Sequence, residues 1–203
     1  MAEQVILNED RRDCLQEVTN IAMGQAADQL ARLLDTFVIL SIPHVEVLTP
    51  TDIEMALQSL EGSQSVSGVC QGFIGGGIAG EAMVIFNDAS FQDLANLMNY
   101  SDCLDHHTEH ELLADAANVL IGACLKGMAE QMDVDFSYGA PMLLGQHCAI
   151  SDLLKRNALS WDQALVVEIN YKIEHHQINC DLLLVMTEDS IDWLFKKLDY
   201  LME

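Results

Sequence analysis

The chain contains few positively charged residues. Of its 203 residues, 9 are Lys or Arg and 32 are Asp or Glu, which gives a formal net charge of −23. No Lys or Arg occurs between Arg32 and Lys126. Nucleic-acid binding requires clustered basic side chains that neutralise phosphates, and an anionic membrane surface attracts the same clusters. The composition therefore argues against nucleic acid and against a membrane surface as partners.

Other common signatures are also missing. The first residues, 1–4, contain no basic segment leading into an apolar one. The longest uncharged stretch, Gly62–Gly80, contains seven glycines and is too polar for a membrane helix. The six cysteines form no CxxC pair, and we expect them to be reduced. These absences predict a cytoplasmic protein without a disulfide framework.

What the chain does contain is an internal repeat at an offset of 98 residues. The first copy reads Asp13-x3-Glu17-x2-Asn20, followed by Gly24 and Pro43. The second copy consists of Glu111, Asp115, Asn118, Gly122 and Pro141. A repeat of this kind at half of the chain length indicates a tandem duplication.

Hydrophobic periodicity and turn residues predict the same order of elements in both halves. Each half is predicted to hold a long helix, a strand, a short helix, a β-hairpin and a final helix. The predicted ranges are 8–35, 37–48, 51–60, 65–86 and 91–98, then 109–131, 134–150, 151–157, 164–186 and 190–201. Pro43 is expected at a strand edge or a bulge, because proline cannot donate to a sheet. The offset reaches 100 at the final helices, so the second copy has gained about two residues by then.

The predicted fold class is α+β. We expect one domain, residues 1–203, built from two pseudo-symmetric αβαββα repeats at about 1–100 and 101–203. No linker rich in Pro, Ser or Gly separates the halves. The repeats are therefore expected to share one largely antiparallel sheet of about six strands, with the two long helices carrying the repeated polar residues.

The repeated polar residues project onto one stripe of each long helix. At 100° per residue, Asp13, Glu17, Asn20 and Gly24 fall within about 60° of one another, opposite the apolar positions. Solvent exposure explains any single carboxylate. Asn and Gly have low helix propensity, however, so their presence at matching positions in both copies favours a docking surface. A carboxylate that accepts from a cation, beside a carboxamide that holds a water, suits phosphoryl hydrolysis by positioning.

This pattern resembles that of the CheC/CheX/FliY family of chemotaxis phosphatases. The family pattern is Asp/Ser-x3-Glu-x2-Asn-x22-Pro, twice, and here 22 residues separate Asn20 from Pro43 and also Asn118 from Pro141. The resemblance implies hydrolysis of the aspartyl phosphate on a CheY-type response-regulator receiver domain. It further implies that Glu17 pairs with a receiver lysine and that Asn20 orients the attacking water.

The resemblance assigns the second copy the same roles. Asp115 and Asn118 would form a second catalytic pair, and Asp13, Gly24, Glu111 and Gly122 would contribute to binding. No metal or cofactor of the protein's own is implied, because the divalent metal, Mg²⁺ by the same resemblance, belongs to the receiver. The second copy departs from the pattern at Glu111 and at Asp115, which is one methylene shorter than Glu. Misplacement of about 1 Å can cost about 100-fold in rate, so the first copy is predicted to be the more active.

Two other interpretations remain open. A non-catalytic module of the same fold would dock a receiver domain or a CheD-type amidase without hydrolysis. An unrelated duplicated domain would carry a stripe that is merely solvated. Within the family, the absence of an extension suited to a flagellar motor domain favours a free-standing CheC-like protein.

Two further motifs are weaker. Gly75–Gly80 fits GxGxxG, but a strand rather than a helix is predicted after it, which favours a hairpin turn. His106 and His110 have the i, i+4 spacing of metal ligands on a helix, without a third ligand nearby in sequence. We assign neither a nucleotide site nor a metal site to them.

Overall fold

The fold is described from a computed structural model covering residues 7–49, 51–52, 55, 65–100, 105–150, 152–153, 164–173 and 178–203. The helices are α1 (Glu9–Leu34), a 3-10 turn (Asp88–Ser90) leading into α2 (Phe91–Leu97), α3 (His106–Met132) and α4 (Glu188–Leu201). The strands are β1 (Val38–Leu40), β2 (His44–Leu48), β3 (Val66–Gly75), β4 (Ile78–Asn87), β5 (Ser137–Tyr138), β6 (Met142–Cys148), β7 (Ala164–Ile173) and β8 (Asn179–Thr187). The helices predicted at 51–60 and 151–157 lie largely outside the described residues.

The eight strands of the described residues all belong to one antiparallel sheet. Its order is β1-β7-β8-β4-β3-β5, with β2 also pairing β7 and β6 also pairing β3. The predicted α+β class and the shared antiparallel sheet are confirmed. In the part of the chain that the structure describes, the sheet has eight strands rather than about six, because each predicted first strand is divided at its proline. Pro43 separates β1 from β2 and Pro141 separates β5 from β6, where the missing N–H interrupts the ladder.

Each half places its first two strands on the hairpin of the other half. β1 and β2 pair with β7, whereas β5 and β6 pair with β3. The two hairpins meet along β4 and β8, where Met83 lies opposite Leu183. These two residues are equivalent at the offset of 100, so a pseudo-twofold axis passes between them.

The sheet is buried on both faces. The larger core lies under the helices and includes Leu15, Ala22, Leu113 and Leu184. A smaller cluster on the opposite face includes Met83, Ile85, Ile150, Leu153 and Leu183. Burial on both sides explains why the central strands read as nearly continuous apolar runs rather than as alternating ones.

The helices α1 and α3 pack directly against each other over the sheet. A Cβ added to Gly127 would lie 2.7 Å from the Cα of Ala22. A glycine at this position lets the two backbones approach. The apolar faces of both helices are thereby buried, and their polar stripes are left on the outside.

The first hairpin turns at two glycines. Gly76 and Gly77 have φ values of 59° and 83°, as a two-residue turn between twisted strands requires. The prediction of a hairpin at the GxGxxG motif is therefore confirmed. The offset is 98 where β3 and β7 begin, at Val66 and Ala164, and 100 where the next helical segments begin, at Asp88 and Glu188. The two extra residues therefore lie within the second hairpin.

Among the described helices, one meets the length and composition criteria for crossing a membrane. This helix, His106–Met132, has 61% of its most apolar window buried inside the protein. Burial of that extent is typical of a core helix packed under its neighbours.

Candidate functional site

The first polar stripe lies on the outer face of α1. Asp13, Glu17, Asn20 and Gly24 are all exposed, as the helical projection predicts. In the part of the chain that the structure describes, neither Glu17 nor Asn20 forms a hydrogen bond or an ion pair. The stripe therefore presents an unengaged carboxylate and an unengaged carboxamide one turn apart.

Local interactions fix α1 beneath this stripe. The side chain of Asn8 caps the helix by accepting from Arg11 N at 2.9 Å. Gln16 Nε2 donates to the carbonyl oxygen of Pro43 at 2.7 Å, which ties the helix to the break between β1 and β2. Leu15 is fully buried beside the stripe. The backbone that carries Glu17 is thus held from below while its outer face stays free.

Gly24 leaves the surface beside Asn20 flat. A Cβ added at Gly24 would have no heavy atom within 4 Å. No feature of the described fold requires a glycine there, although glycine inside a helix costs about 1 kcal/mol relative to alanine. A missing side chain in this position suits the close approach of another molecule.

The second stripe on α3 is also at the surface, but its side chains already have partners. Tyr100 Oη donates to Asp115 Oδ2 at 2.8 Å. His107 Nδ1 lies 3.5 Å from Glu111 Oε1, an ion pair when the histidine is protonated. Burial, together with the hydrogen bond to Asp115, raises the pKa of Tyr100 to about 12. The phenol therefore remains a donor to Asp115 at physiological pH.

Asn118 and Gly122 face neighbours as well. Gln71 Nε2 is 3.5 Å from Asn118 Oδ1, while its stronger hydrogen bond, at 2.5 Å, goes to the carbonyl oxygen of Gly139. A Cβ at Gly122 would lie 3.5 Å from Tyr138 Oη. The two stripes therefore differ, since the first is open and the second is partly covered by residues of the same chain.

Sequence reasoning did not identify the residues that cover the second stripe. Tyr100, Gln71 and Tyr138 come from the segment before α3, from β3 and from β5. No spacing rule links them to Asp115 or Asn118, because Gln71 and Tyr138 lie on strands whose position in the sheet the sequence does not specify, and Tyr100 belongs to no strand or helix. The one available signal is the departure at Asp115 from the family pattern, which already distinguished the second copy.

A second polar cluster was also not foreseen. His147 Nδ1 lies 2.9 Å from Asp88 Oδ2 and its Nε2 lies 3.0 Å from Glu109 Oε2. Ser67 Oγ donates to Asp88 at 2.7 Å, and Gln146 Nε2 donates to Glu109 at 2.6 Å. A neutral imidazole has only one N–H, so only a protonated ring donates to both carboxylates. Burial alone lowers the pKa of His147, but the hydrogen bonds to Glu109 and Asp88 outweigh it and the pKa is raised.

The remaining candidates contribute no assembled chemistry. His106 and His110 are exposed in the first turns of α3, and no group of three or more His, Cys, Asp or Glu suited to a metal occurs in the described ranges. Among the described residues, the five cysteines at 14, 70, 124, 148 and 180 form no disulfide. Burial raises the pKa of the Cys70 and Cys124 thiols to about 12. Neither thiol is therefore a reactive thiolate.

Comparisons with known proteins agree with these features. A family model described as the CheC-like family matches residues 12–43, the segment that carries the first stripe and ends at Pro43. No curated protein matches the chain at a significant level.

Three solved structures illustrate the similarity of fold. FliY from Thermotoga maritima is 16% identical, with 97% of this chain and 99% of that chain covered and a TM-score of 0.67. CheX from Desulfovibrio desulfuricans is 15% identical, with 84% and 99% covered and a TM-score of 0.56. FliM in a FliM–SpeE complex from H. pylori is 13% identical, with 96% and 97% covered and a TM-score of 0.65.

A fold shared by proteins named FliY, CheX and FliM does not by itself define an activity, so function has to be argued from the site. Along α1 the chain matches the CheC-like family model, and over most of its length it shares the fold of proteins named FliY and CheX, so it is similar to the family that its sequence pattern resembles.

Proposed function

We propose that this protein is a cytoplasmic phosphatase that hydrolyses the aspartyl phosphate of a CheY-type receiver domain through Glu17 and Asn20. The observation that carries the proposal is the open first stripe on α1, where both side chains are exposed and unengaged beside Gly24. An aspartyl phosphate lies in a shallow pocket of a folded partner. A helix with a flat edge reaches such a pocket more readily than an enclosed cleft does.

In the proposed mechanism, α1 docks over the phosphorylated aspartate. Glu17 accepts from a lysine of the receiver and fixes the register of docking. The Asn20 carboxamide both donates to and accepts from one water, and it holds that water in line with the phosphorus. The water oxygen attacks phosphorus, the P–O bond to the aspartate breaks, the carboxylate leaves and the water proton passes to the phosphate or to solvent. The metal that neutralises the phosphoryl oxygens belongs to the receiver.

The second stripe fits a weaker role in the same function. Its Asp115 is hydrogen-bonded to Tyr100, and Asn118 lies near Gln71. Docking there would require the Tyr100 hydroxyl to release Asp115 first. We propose that the Asn20 site carries most of the activity and that the α3 stripe contributes docking to a receiver or to a CheD-type partner.

Phosphate release from a phosphorylated receiver tests the assignment. The wild type is compared with Asn20→Ala, Asn118→Ala and the double variant, and Asn96→Ala serves as a control because Asn96 is an exposed asparagine on α2. Loss of the water-positioning amide at position 20 should lower the rate about 100-fold. Asn118→Ala should lower it less than threefold, and Asn96→Ala should leave it unchanged.

The outcomes separate the possibilities. Failure of the wild type to accelerate phosphate loss from any receiver of the source organism would refute the phosphatase assignment. Binding of a receiver without acceleration would identify a docking module instead. A larger effect of Asn118→Ala than of Asn20→Ala would move the activity to α3.

A further inference from the structure

A surface groove of about 740 Å³ lies between α1 and the C-terminal end of α4. Asp10, Cys14, Glu17 and Ile21 line it from α1, at i, i+4, i+7 and i+11 along one helical face. Glu17 belongs both to this groove and to the polar stripe. The groove therefore begins directly beside the site proposed for phosphate hydrolysis.

The second wall of the groove is held in place by a fork-shaped ion pair. Arg11 Nε donates to Asp199 Oδ1 at 2.8 Å and Arg11 Nη2 donates to Asp199 Oδ2 at 2.7 Å. The Arg11 guanidinium also lies over the ring of Phe195, 4.5 Å from its centre. These contacts join the start of α1 to the end of α4. The groove is consequently formed before any partner arrives, which lowers the entropic cost of binding.

The groove combines exposed apolar side chains with carboxylates. Ile21, Leu201 and Met202 are 40%, 38% and 44% exposed, although side chains of this type are usually buried. Asp10 and Asp13 line the same groove, and its lining includes no Lys or Arg among the described residues. Arg12 lies 3.6 Å from Asp13 and offsets only part of this charge. An occupant that complements the groove carries a large apolar side chain next to a cation.

We propose that this groove binds a second surface of the receiver domain, a segment that carries a large apolar side chain flanked by Lys or Arg. This inference rests on the proposed function for the identity of the partner, and it adds a docking contact outside the catalytic stripe. Since the groove and the stripe share Glu17, one receiver contacts both at once. The groove sets affinity and partner choice, while Asn20 sets the rate of the chemical step.

The contribution of the apolar groove residues is tested by measuring binding of a purified CheY-type receiver activated with beryllofluoride. The groove variant is Ile21→Ser combined with Met202→Ser. Its matched control is Ile42→Ser combined with Met142→Ser, which removes side chains of the same types that are 77% and 66% exposed outside the groove. The groove variant should raise Kd about tenfold while the hydrolysis rate at saturating receiver stays within twofold of wild type. The control should change neither value.

A second comparison tests the contribution of the negative charge in the groove. Asp10→Lys and Asp192→Lys change the net charge equally, but only Asp10 lines the groove. Measured by stopped flow at low ionic strength, Asp10→Lys should slow receiver association severalfold, and added salt should remove the difference. Asp192→Lys should associate like the wild type or faster.

Binding and hydrolysis are read separately, so the two proposals fail in different ways. Groove variants that bind the receiver like the wild type would overturn the groove assignment and leave the phosphatase assignment intact. If the groove variants bind the receiver more weakly than the wild type does, but the wild type itself does not hydrolyse the phosphate, the groove assignment is supported and the phosphatase assignment is refuted. A groove that proves to mediate self-association, or a wild type that binds none of the receivers of the source organism, would overturn the groove assignment.

Discussion

His147 joins residues that are remote in sequence. Its ring contacts Asp88 from the turn before α2 and Glu109 from the first turns of α3, and its backbone N–H donates to Ser67 Oγ at 3.1 Å. The φ of His147 is 51°, a left-handed conformation that is uncommon outside glycine, although histidine adopts it more often than most residues do. The surrounding hydrogen bonds hold the residue in that conformation.

The raised pKa of His147 predicts a pH dependence of stability. A group whose folded pKa lies above its unfolded value of about 6.5 stabilises the fold below that value, and this contribution is lost as pH rises through the folded pKa. The free energy of unfolding should therefore fall as the pH rises above about 6.5 and through the raised pKa of His147. His147→Gln should show a flatter profile, measured by urea denaturation across this range. Equal slopes in the two proteins would show that the Asp88–His147–Glu109 contacts contribute no proton linkage.

Tyr100 offers a test of why the second stripe is engaged. Removal of its hydroxyl by Tyr100→Phe frees Asp115 without removing the ring. In an Asn20→Ala background, where the first site is silent, this change should raise the residual phosphatase rate severalfold. Tyr200→Phe in the same background is the control, since Tyr200 is 69% exposed at the end of α4. An unchanged rate would mean that the tyrosine does not restrain the second stripe.

The two long helices contain glycines with opposite surroundings. Gly24 points into open space, whereas a Cβ at Gly127 would meet the backbone of Ala22 at 2.7 Å. Gly24→Ala should therefore stabilise the protein by about 1 kcal/mol through helix propensity. Gly127→Ala should destabilise it by about 1–3 kcal/mol, because α1 and α3 must move apart. Thermal unfolding measures both changes.

Gly24 and its equivalent Gly122 separate an effect on stability from an effect on docking. If a partner surface approaches α1 at Gly24, the Gly24→Ala variant should be more stable and yet hydrolyse phosphate more slowly. Gly122→Ala, at the equivalent position on α3, should be stabilised with little loss of activity. Full activity of Gly24→Ala would contradict close approach at that point.

At the level of elements, the sequence predicts which face of a helix or strand a side chain lies on better than it predicts which strands pair. The stripe of Asp13, Glu17 and Asn20 was predictable because the helical period alone decides which side chains share a face. The prolines indicated where the strands break. The pairing of β1 and β2 with β7 was not predictable, because the period of two in a strand specifies its faces and not its neighbour. The contact of Gln71 with Asn118 depends in the same way on where β3 lies in the sheet, and the contact of Tyr100 with Asp115 depends on the path of the chain into α3, which no periodicity specifies.

The whole molecule depends on strands that are exchanged between the halves. In an isolated segment 1–100, β1 and β2 would lack β7, and β4 would lack β8. Neither 1–100 nor 101–203 should therefore show a cooperative unfolding transition as a monomer. Circular dichroism with sedimentation analysis tests this, and mixing the two fragments should restore the full-length spectrum. A folded, monomeric half would show that the exchanged strands are dispensable.

Met83 and Leu183 face each other across the pseudo-twofold axis, which is the arrangement expected of two identical subunits that later became one chain. In a symmetric dimer of identical subunits encoded by one short gene, every substitution alters both polar stripes. Fusion of the two copies removed that constraint. Tyr138 occurs in one copy only, since the equivalent position, 98 residues earlier, is Leu40. Each half of the fused gene could thus acquire its own substitutions. The stripe on one long helix could change its role while selection preserved the stripe on the other.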